Sequence, residues 1–202
     1  MILVGGRMLM STSLTASELA LAERGCAAIS TVRKPRVLIG GLGLGLTLRA
    51  ALDALGPKAT VTVAELNSKV VEWNQGPVAI VNNRAALDPR VRFFVGDVTD
   101  HIAQVSGDPG APRYDAILWD LYVGPERRGG DADPLFGHAS IRSTATALAA
   151  GGVFGVWGET PSPAFEGRLR THGFDVALVR TRGRGLRHAV YMATKRVART
   201  GR

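Results

Sequence analysis

Four glycines within six residues, Gly40-Gly41-Leu42-Gly43-Leu44-Gly45, follow directly on the apolar run Val37-Leu38-Ile39 and constrain this chain more than any other feature. A short apolar run bounded in this way reads as a buried strand. Glycines at its end let the backbone turn sharply and come close to a ligand. Leu46 to Leu55 then has helical character and stops at Gly56-Pro57. A helix starting there turns its free amide donors and its positive end toward whatever lies over the turn. Alone, such a turn also suits NAD or a tight structural bend.

The pattern repeats. Val61 to Ala64, Val91 to Val95, Ala116 to Trp119 and Val153 to Trp157 read as further strands. Helix-like stretches run from Ser68 to Asn74 and from Ile141 to Ala149. Strands alternating with helices predict an α/β fold with a doubly wound, mostly parallel sheet covered on both faces. After Pro163, a helix over Ala164 to Thr171 leads to Phe174 to Val179 and His188 to Ala193, an antiparallel pair closing the sheet.

The start of the chain differs. Arg7-Met8-Leu9-Met10 reads as an edge strand, and Thr15-Ala16-Ser17-Glu18 has the spacing of a capping box. A helix to Arg24, stopped by Gly25, is expected. The resulting division is residues 1–30 as an extension or lid, 31–195 as the main domain and 196–202 as a basic tail.

Each strand end carries a chemically useful side chain. Glu65 ends the second strand, where a carboxylate can accept both hydroxyl protons of a ribose. Asp97 ends the third, placed either to accept an adenine amino group or to cap the helix from Val98. Asp120 ends the fourth, as a site residue or as a turn-forming aspartate bonding its own backbone. Gly41, Gly43, Gly45, Glu65, Asp97 and Asp120 thus gather along one crevice edge, a convergence that packing alone does not explain.

Composition narrows the alternatives. The chain has 202 residues, 46% of them hydrophobic and 21% charged, enough for one extended core and contrary to overall disorder. The single cysteine, Cys26, forms no intramolecular disulfide and reads as a small buried hydrophobe. His101, His138, His172 and His188 show no metal-ligand spacing, so no metal is expected. No apolar run reaches the roughly 18 residues of a membrane helix. Met1-Ile2-Leu3-Val4 lacks a basic start and is broken by Gly5, Gly6 and Arg7, so the expected location is cytoplasmic. The net charge is +8, with Arg180, Arg182, Arg184, Arg187, Lys195, Arg196, Arg199 and Arg202 crowding the end, as a nucleic-acid surface or a solvated tail would.

These residues resemble the spermidine synthase family and the class I S-adenosylmethionine-dependent methyltransferases that share its core. Gly40 to Gly45 with Thr47-Leu48-Arg49 looks like the family's glycine turn and helix start, and Val63-Ala64-Glu65-Leu66-Asn67 like its ribose-binding strand end. Asp88-Pro89-Arg90-Val91 through Gly96-Asp97 is similar to its adenine-side segment, and Tyr114 to Asp120 to the strand ending in its amine-facing aspartate. Gly124-Pro125 and Leu135-Phe136 fit the gate loop after it, and Ser17-Glu18 to Glu23 gives a weaker echo.

The resemblance implies a Rossmann-like seven-stranded sheet, a homodimer, and S-adenosylmethionine or its decarboxylated form held by Gly41, Gly43, Gly45, Glu65 and Asp97. It differs in four places. Leu44 stands where the family carries an aspartate for the donor's amine, and Leu21-Ala22 replaces a Tyr-His pair, leaving Glu23. Leu121 to Gly124 lacks a second aspartate, and no full N-terminal β-domain is expected. Methyl transfer to a small, amine-bearing acceptor is therefore favoured over aminopropyl transfer.

In that reading Asp120 is the base, and Tyr122, Trp157, Glu159 and Glu23 shape the acceptor's site, with packing an equal role for Trp157. Val123 to Gly137 reads as a mobile gate or an ordinary surface loop. The rivals are an RNA methyltransferase and a non-catalytic nucleoside-binding module. Against the first, Asp120-Leu121-Tyr122 lacks the Asn/Asp-Pro-Pro-aromatic signature, so nucleic acid is not the expected partner. An NAD-dependent dehydrogenase would need a proton-relay pair that the sequence does not offer.

Overall fold

In the computed structural model, the described residues are 2–4, 7–10, 16–127, 130–180 and 188–197. Two short strands, β1 (Ile2–Val4) and β2 (Arg7–Met10), pair antiparallel in a sheet of their own. Arg7–Met10 is therefore not an edge of the main sheet, because its hydrogen bonds are taken by its own neighbour in sequence.

Helix α1 (Ala16–Ala28) runs past Gly25 instead of stopping there. The physical reason is close packing. Gly25 lies over Leu118, and any Cβ at that position would come 2.5 Å from the leucine Cδ2. Its missing side chain lets α1 settle on the sheet, where Leu21, Ala22 and Cys26 enter the main core. Thr15, the first member of the expected capping box, is outside the described residues. Glu18 instead accepts from Ser17 Oγ at 2.9 Å.

The remaining elements alternate as the apolar runs require. They are β3 (Arg36–Gly40), α2 (Leu46–Ala54), β4 (Thr60–Glu65), α3 (Ser68–Gln75), β5 (Val91–Val95), α4 (Val98–Gly107) and β6 (Tyr114–Trp119). There follow α5 (His138–Ala147), β7 (Leu148–Gly158), α6 (Pro163–Thr171), β8 (Phe174–Arg180) and β9 (Ala189–Lys195). Leu148 and Ala149 extend a strand rather than the preceding helix. Leu148 is fully buried and pairs with Tyr114 of β6, so tertiary pairing overrides helical propensity.

The main sheet has the order β5-β4-β3-β6-β7-β9-β8. Only β9 runs against its neighbours. This is the doubly wound, Rossmann-like, mostly parallel seven-stranded sheet. The order reverses between β3 and β6, and at such a switch point the carboxyl ends of adjacent strands open a crevice.

One face of the sheet is covered by α1, α2 and α3, with Val37, Ile39, Val61, Val63 and Leu118 beneath them. The other carries an aromatic stack. Trp119 meets Phe154 at 4.9 Å and Phe136 at 5.7 Å, both edge-on, and Phe136 meets Phe165 at 5.5 Å. Each such pair adds about 0.5–1.5 kcal/mol beyond its buried area. Phe136 thereby pins the far end of the loop after β6. Arg168 Nε donates to the Phe136 carbonyl at 2.9 Å, fixing the same point from α6.

Cys26 behaves as the sequence suggests. It is 3% exposed, and burial pushes its thiol up to about 11, so it is inert near neutral pH. No described helix is long and apolar enough to cross a membrane. The arginines at 182, 184, 187, 199 and 202 are outside the described residues.

Candidate active site

At the switch point lies a cavity of about 560 Å³, within the range of small-molecule sites. The glycine loop forms its floor. Gly41 has φ +88, and a Cβ there would sit 2.4 Å from the Asp120 carbonyl oxygen. Only glycine lets the tips of β3 and β6 approach this closely. Gly41 N donates to the Ala64 carbonyl at 2.8 Å, and Asp120 N to the Gly40 carbonyl at 2.9 Å, so the loop is tied to both neighbouring strands.

Glu65 reinforces this. Its Oε2 accepts from Leu42 N and its Oε1 from Asn67 N, each at 2.9 Å. Hydrogen bonds to a charged group contribute about 1.5–3 kcal/mol each, so the carboxylate is held firmly on the cavity wall. Each oxygen keeps a second lone pair for a ligand hydroxyl.

Asp97 does two things at once. Its Oδ1 caps α4, accepting from Thr99 N and Thr99 Oγ1 at 2.8 Å, while the residue also lines the cavity. The two readings of Asp97 are thus compatible, since a carboxylate has a second oxygen.

Gly45 stands behind the loop and does not line the cavity. With φ +74 it caps α2. A Cβ there would be 2.4 Å from Asn82 Nδ2 and 2.8 Å from Asn74 Oδ1. These two asparagines, each 1% exposed, form a clamp that the sequence reading missed. Asn74 Nδ2 donates to the Gly43 carbonyl and Asn82 Nδ2 to the Leu44 carbonyl, both at 2.9 Å. Asn82 Nδ2 also donates to Asn74 Oδ1 at 2.6 Å. The available signal was a pair of amides in apolar surroundings, Val70-Val71 before one and Ala79-Ile80-Val81 before the other.

Asp120 sits where the sequence places it. Its Oδ2 accepts from Thr47 Oγ1 at 2.5 Å. Burial raises its acid to about 7, opposed by the Thr47 hydrogen bond and assisted by the negative charge of Glu18. A carboxyl poised there exchanges protons readily near neutral pH.

The other expected residues divide. Tyr122 lines the cavity mouth and is 61% exposed. Trp157 lies on the wall, edge-on to His188 at 5.2 Å, and also packs against the core. Glu159 lines the cavity too, with its Oε2 held by Arg127 Nη2 at 2.6 Å. Glu23 does not join them. It is exposed and outside the cavity, whereas Glu18 lines it. Five residues at about 100° each turn Glu23 roughly 140° around α1 from Glu18, away from the site. His188 is another lining residue that the sequence reading did not find.

Leu121, Val123 and Leu135 complete the side formed by the loop after β6. Asp133 Oδ1 accepts from Leu135 N and Phe136 N at 2.8 Å. Glu126 Oε1 accepts from Glu159 N at 3.2 Å, so the loop is fastened to the end of β7 as well.

No protein-family model matches the chain, and no curated protein is similar to it in sequence. Solved structures do share its fold. A spermidine synthase in complex with the transition state analogue AdoDATO superposes with a TM-score of 0.67 at 18% identity, over 91% of this chain and 60% of that one. Spermidine synthase from Thermotoga maritima gives 0.65 at 19% identity, over 90% and 61%. Human methyltransferase-like protein 13 in complex with SAH gives 0.64 at 17% identity, over 93% and 83%. The chain therefore spans about three fifths of the length of these spermidine synthases. Its fold is the one shared by spermidine synthases and class I methyltransferases.

Proposed function

We propose that the chain is an S-adenosylmethionine-dependent transferase acting on a small, amine-bearing acceptor, with methyl transfer ahead of aminopropyl transfer. One observation carries this reading. Gly41, Gly43, Glu65, Asp97 and Asp120 line a single cavity at the switch point of the sheet. The residues fit an adenosyl group, because the cradle over Gly41 tolerates no side chain and the two acids at the tips of β4 and β5 suit hydroxyl and amino donors.

In this reading Glu65 accepts from the ribose hydroxyls and Asp97 from the adenine amino group. The bound compound supplies a carbon activated by its sulfonium. Asp120, opposite, takes the proton of the acceptor's amine, and its raised acid suits a base working near neutral pH. Leu121, Leu135 and Trp157 limit water around the reacting groups.

Aminopropyl transfer is the second reading. No Lys or Arg is among the described lining residues, so a donor without a carboxylate would leave no anion unpaired. Leu44 on the wall argues the other way, since it offers nothing to a donor amine. The acidic lining also disfavours a phosphate-bearing acceptor, and with it RNA. A homodimer belongs to this proposal, and analytical ultracentrifugation tests it.

Calorimetric titration with S-adenosylmethionine, its decarboxylated form and methylthioadenosine tests the reading. Binding of at least one supports it, and a preference of more than about tenfold, worth about 1.4 kcal/mol, selects between the two donors. Indifference to all three would sink it.

A further inference from the structure

Two residues at the Asp120 end of the cavity have no role so far, Glu18 of α1 and His188 just before β9. Ser17 links them. Its Oγ donates to Glu18 Oε2 at 2.9 Å and lies 2.9 Å from His188 Nδ1, across 171 residues of sequence. A serine hydroxyl has one proton, so with that proton on Glu18 the imidazole donates through Nδ1–H. Nε2 is then the acceptor nitrogen of the neutral ring. Ser17 is 2% exposed, which shields the link from competing water. Trp157, edge-on to His188, limits the tilt of the ring.

Charge gives the link a purpose. In a chain of net charge +8, the described cavity lining holds Glu18, Glu65, Asp97, Asp120 and Glu159 but no Lys or Arg. Each of these acids accepts a hydrogen bond, Glu65 from backbone amides, Asp97 from Thr99, Asp120 from Thr47, Glu18 from Ser17 and Glu159 from Arg127, and of these only Glu159 is paired with a cation among the described residues. The charge of Glu18 acts on Asp120, and that repulsion is relieved when a cation comes between them.

We propose that Glu18 is a specificity-determining residue that receives the cationic group of the acceptor opposite Asp120. Ser17 and His188 are positioning residues that hold its carboxylate on the cavity wall. The inference rests on the transferase reading for the existence of an acceptor, and it names the residues that select one.

The test measures binding of n-butylamine, 1-butanol and butyrate by calorimetry, with and without methylthioadenosine, alongside the NMR signals of the His188 ring nitrogens. The wild type should bind the amine and neither of the others. Glu18→Gln should weaken amine binding by about tenfold or more and leave methylthioadenosine affinity within about twofold, with Glu18→Asp recovering part of the loss. His188→Gln and Ser17→Ala should lower amine affinity in the same direction.

The NMR signal of His188 Nδ1 should move in Ser17→Ala, because that nitrogen loses the serine oxygen 2.9 Å away. Melting curves establish folding, and Glu18→Asp carries the comparison if Glu18→Gln does not fold. Undiminished amine affinity in the variants, an unmoved His188 Nδ1 signal in Ser17→Ala, or equal binding of amine and alcohol overturns the proposal. Glu18-dependent amine binding without any methylthioadenosine binding would instead overturn the transferase reading and leave this one standing.

Discussion

The two ends of the cavity are built by different means. At the glycine-loop end the fixing contacts reach across 23 residues from Leu42 to Glu65, 31 from Gly43 to Asn74 and 38 from Leu44 to Asn82. They hold backbone atoms, and two of the three holding side chains are fully buried. At the other end Thr47 reaches Asp120 across 73 residues and Ser17 reaches His188 across 171. There the contacts run between side chains from α1, α2, the residue after β6 and the residue before β9. A backbone cradle recognises whatever part of a ligand stays constant, while side chains on separate elements can be exchanged without disturbing the sheet.

The largest effect is expected at Asp120. Asp120→Asn should reduce turnover by about 10²- to 10⁴-fold, while donor affinity measured by calorimetry stays near wild type. In the wild type kcat/KM should rise with pH and level off above about 7, since only the ionised carboxyl accepts a proton. The same group has a folded-state acid raised above its usual value, so its stabilising contribution is complete below that value and is lost as pH climbs toward about 7. Melting curves of Asp120→Asn should therefore vary less with pH over that interval. Equal turnover in the two proteins would remove the base.

At the other end Gly41→Ala should have the next largest effect. Its φ of +88 and the 2.4 Å approach to the Asp120 carbonyl force the backbone to move. Strain of this kind costs about 1–3 kcal/mol, visible in denaturant melts, and donor affinity should fall with it. Normal binding by Gly41→Ala would show that the floor of the cavity is softer than its geometry implies.

Asn82→Ala should have a smaller effect on the site. It strands the Leu44 carbonyl and Asn74 Oδ1 without their donor, at a cost of about 1–3 kcal/mol in stability. The loss of donor affinity should be smaller, because Glu65 and Ala64 still hold the loop. The smallest effect belongs to Glu23→Gln, an exposed change on the far side of α1 that should stay within about 0.5 kcal/mol and leave every ligand affinity unchanged. A clear loss there would mean that α1 presents a different face to the site.

Much of the glycine-loop end is legible from residue order alone. Apolar runs mark β3 to β6, and in a doubly wound sheet their carboxyl ends face one crevice. Glu65, Asp97 and Asp120 follow from that rule without any knowledge of contacts. Gly45 shows its limit, since a turn glycine placed by spacing can face the protein as easily as the ligand. Helix α1 shows another. Gly25 looks like a stop signal, but contact with Leu118 decides that the helix continues.

Strand and helix periods, the glycine turn and the acids at strand ends are local properties, set by the backbone geometry of a few neighbouring residues. They were determined by the sequence itself. Which face of α1 meets the cavity, how two asparagines clamp the loop from behind, and how Ser17 comes within reach of His188 were decided only by tertiary packing. Such contacts join segments whose separation along the chain carries no pattern, and their side-chain directions follow from how the helices seat on the sheet.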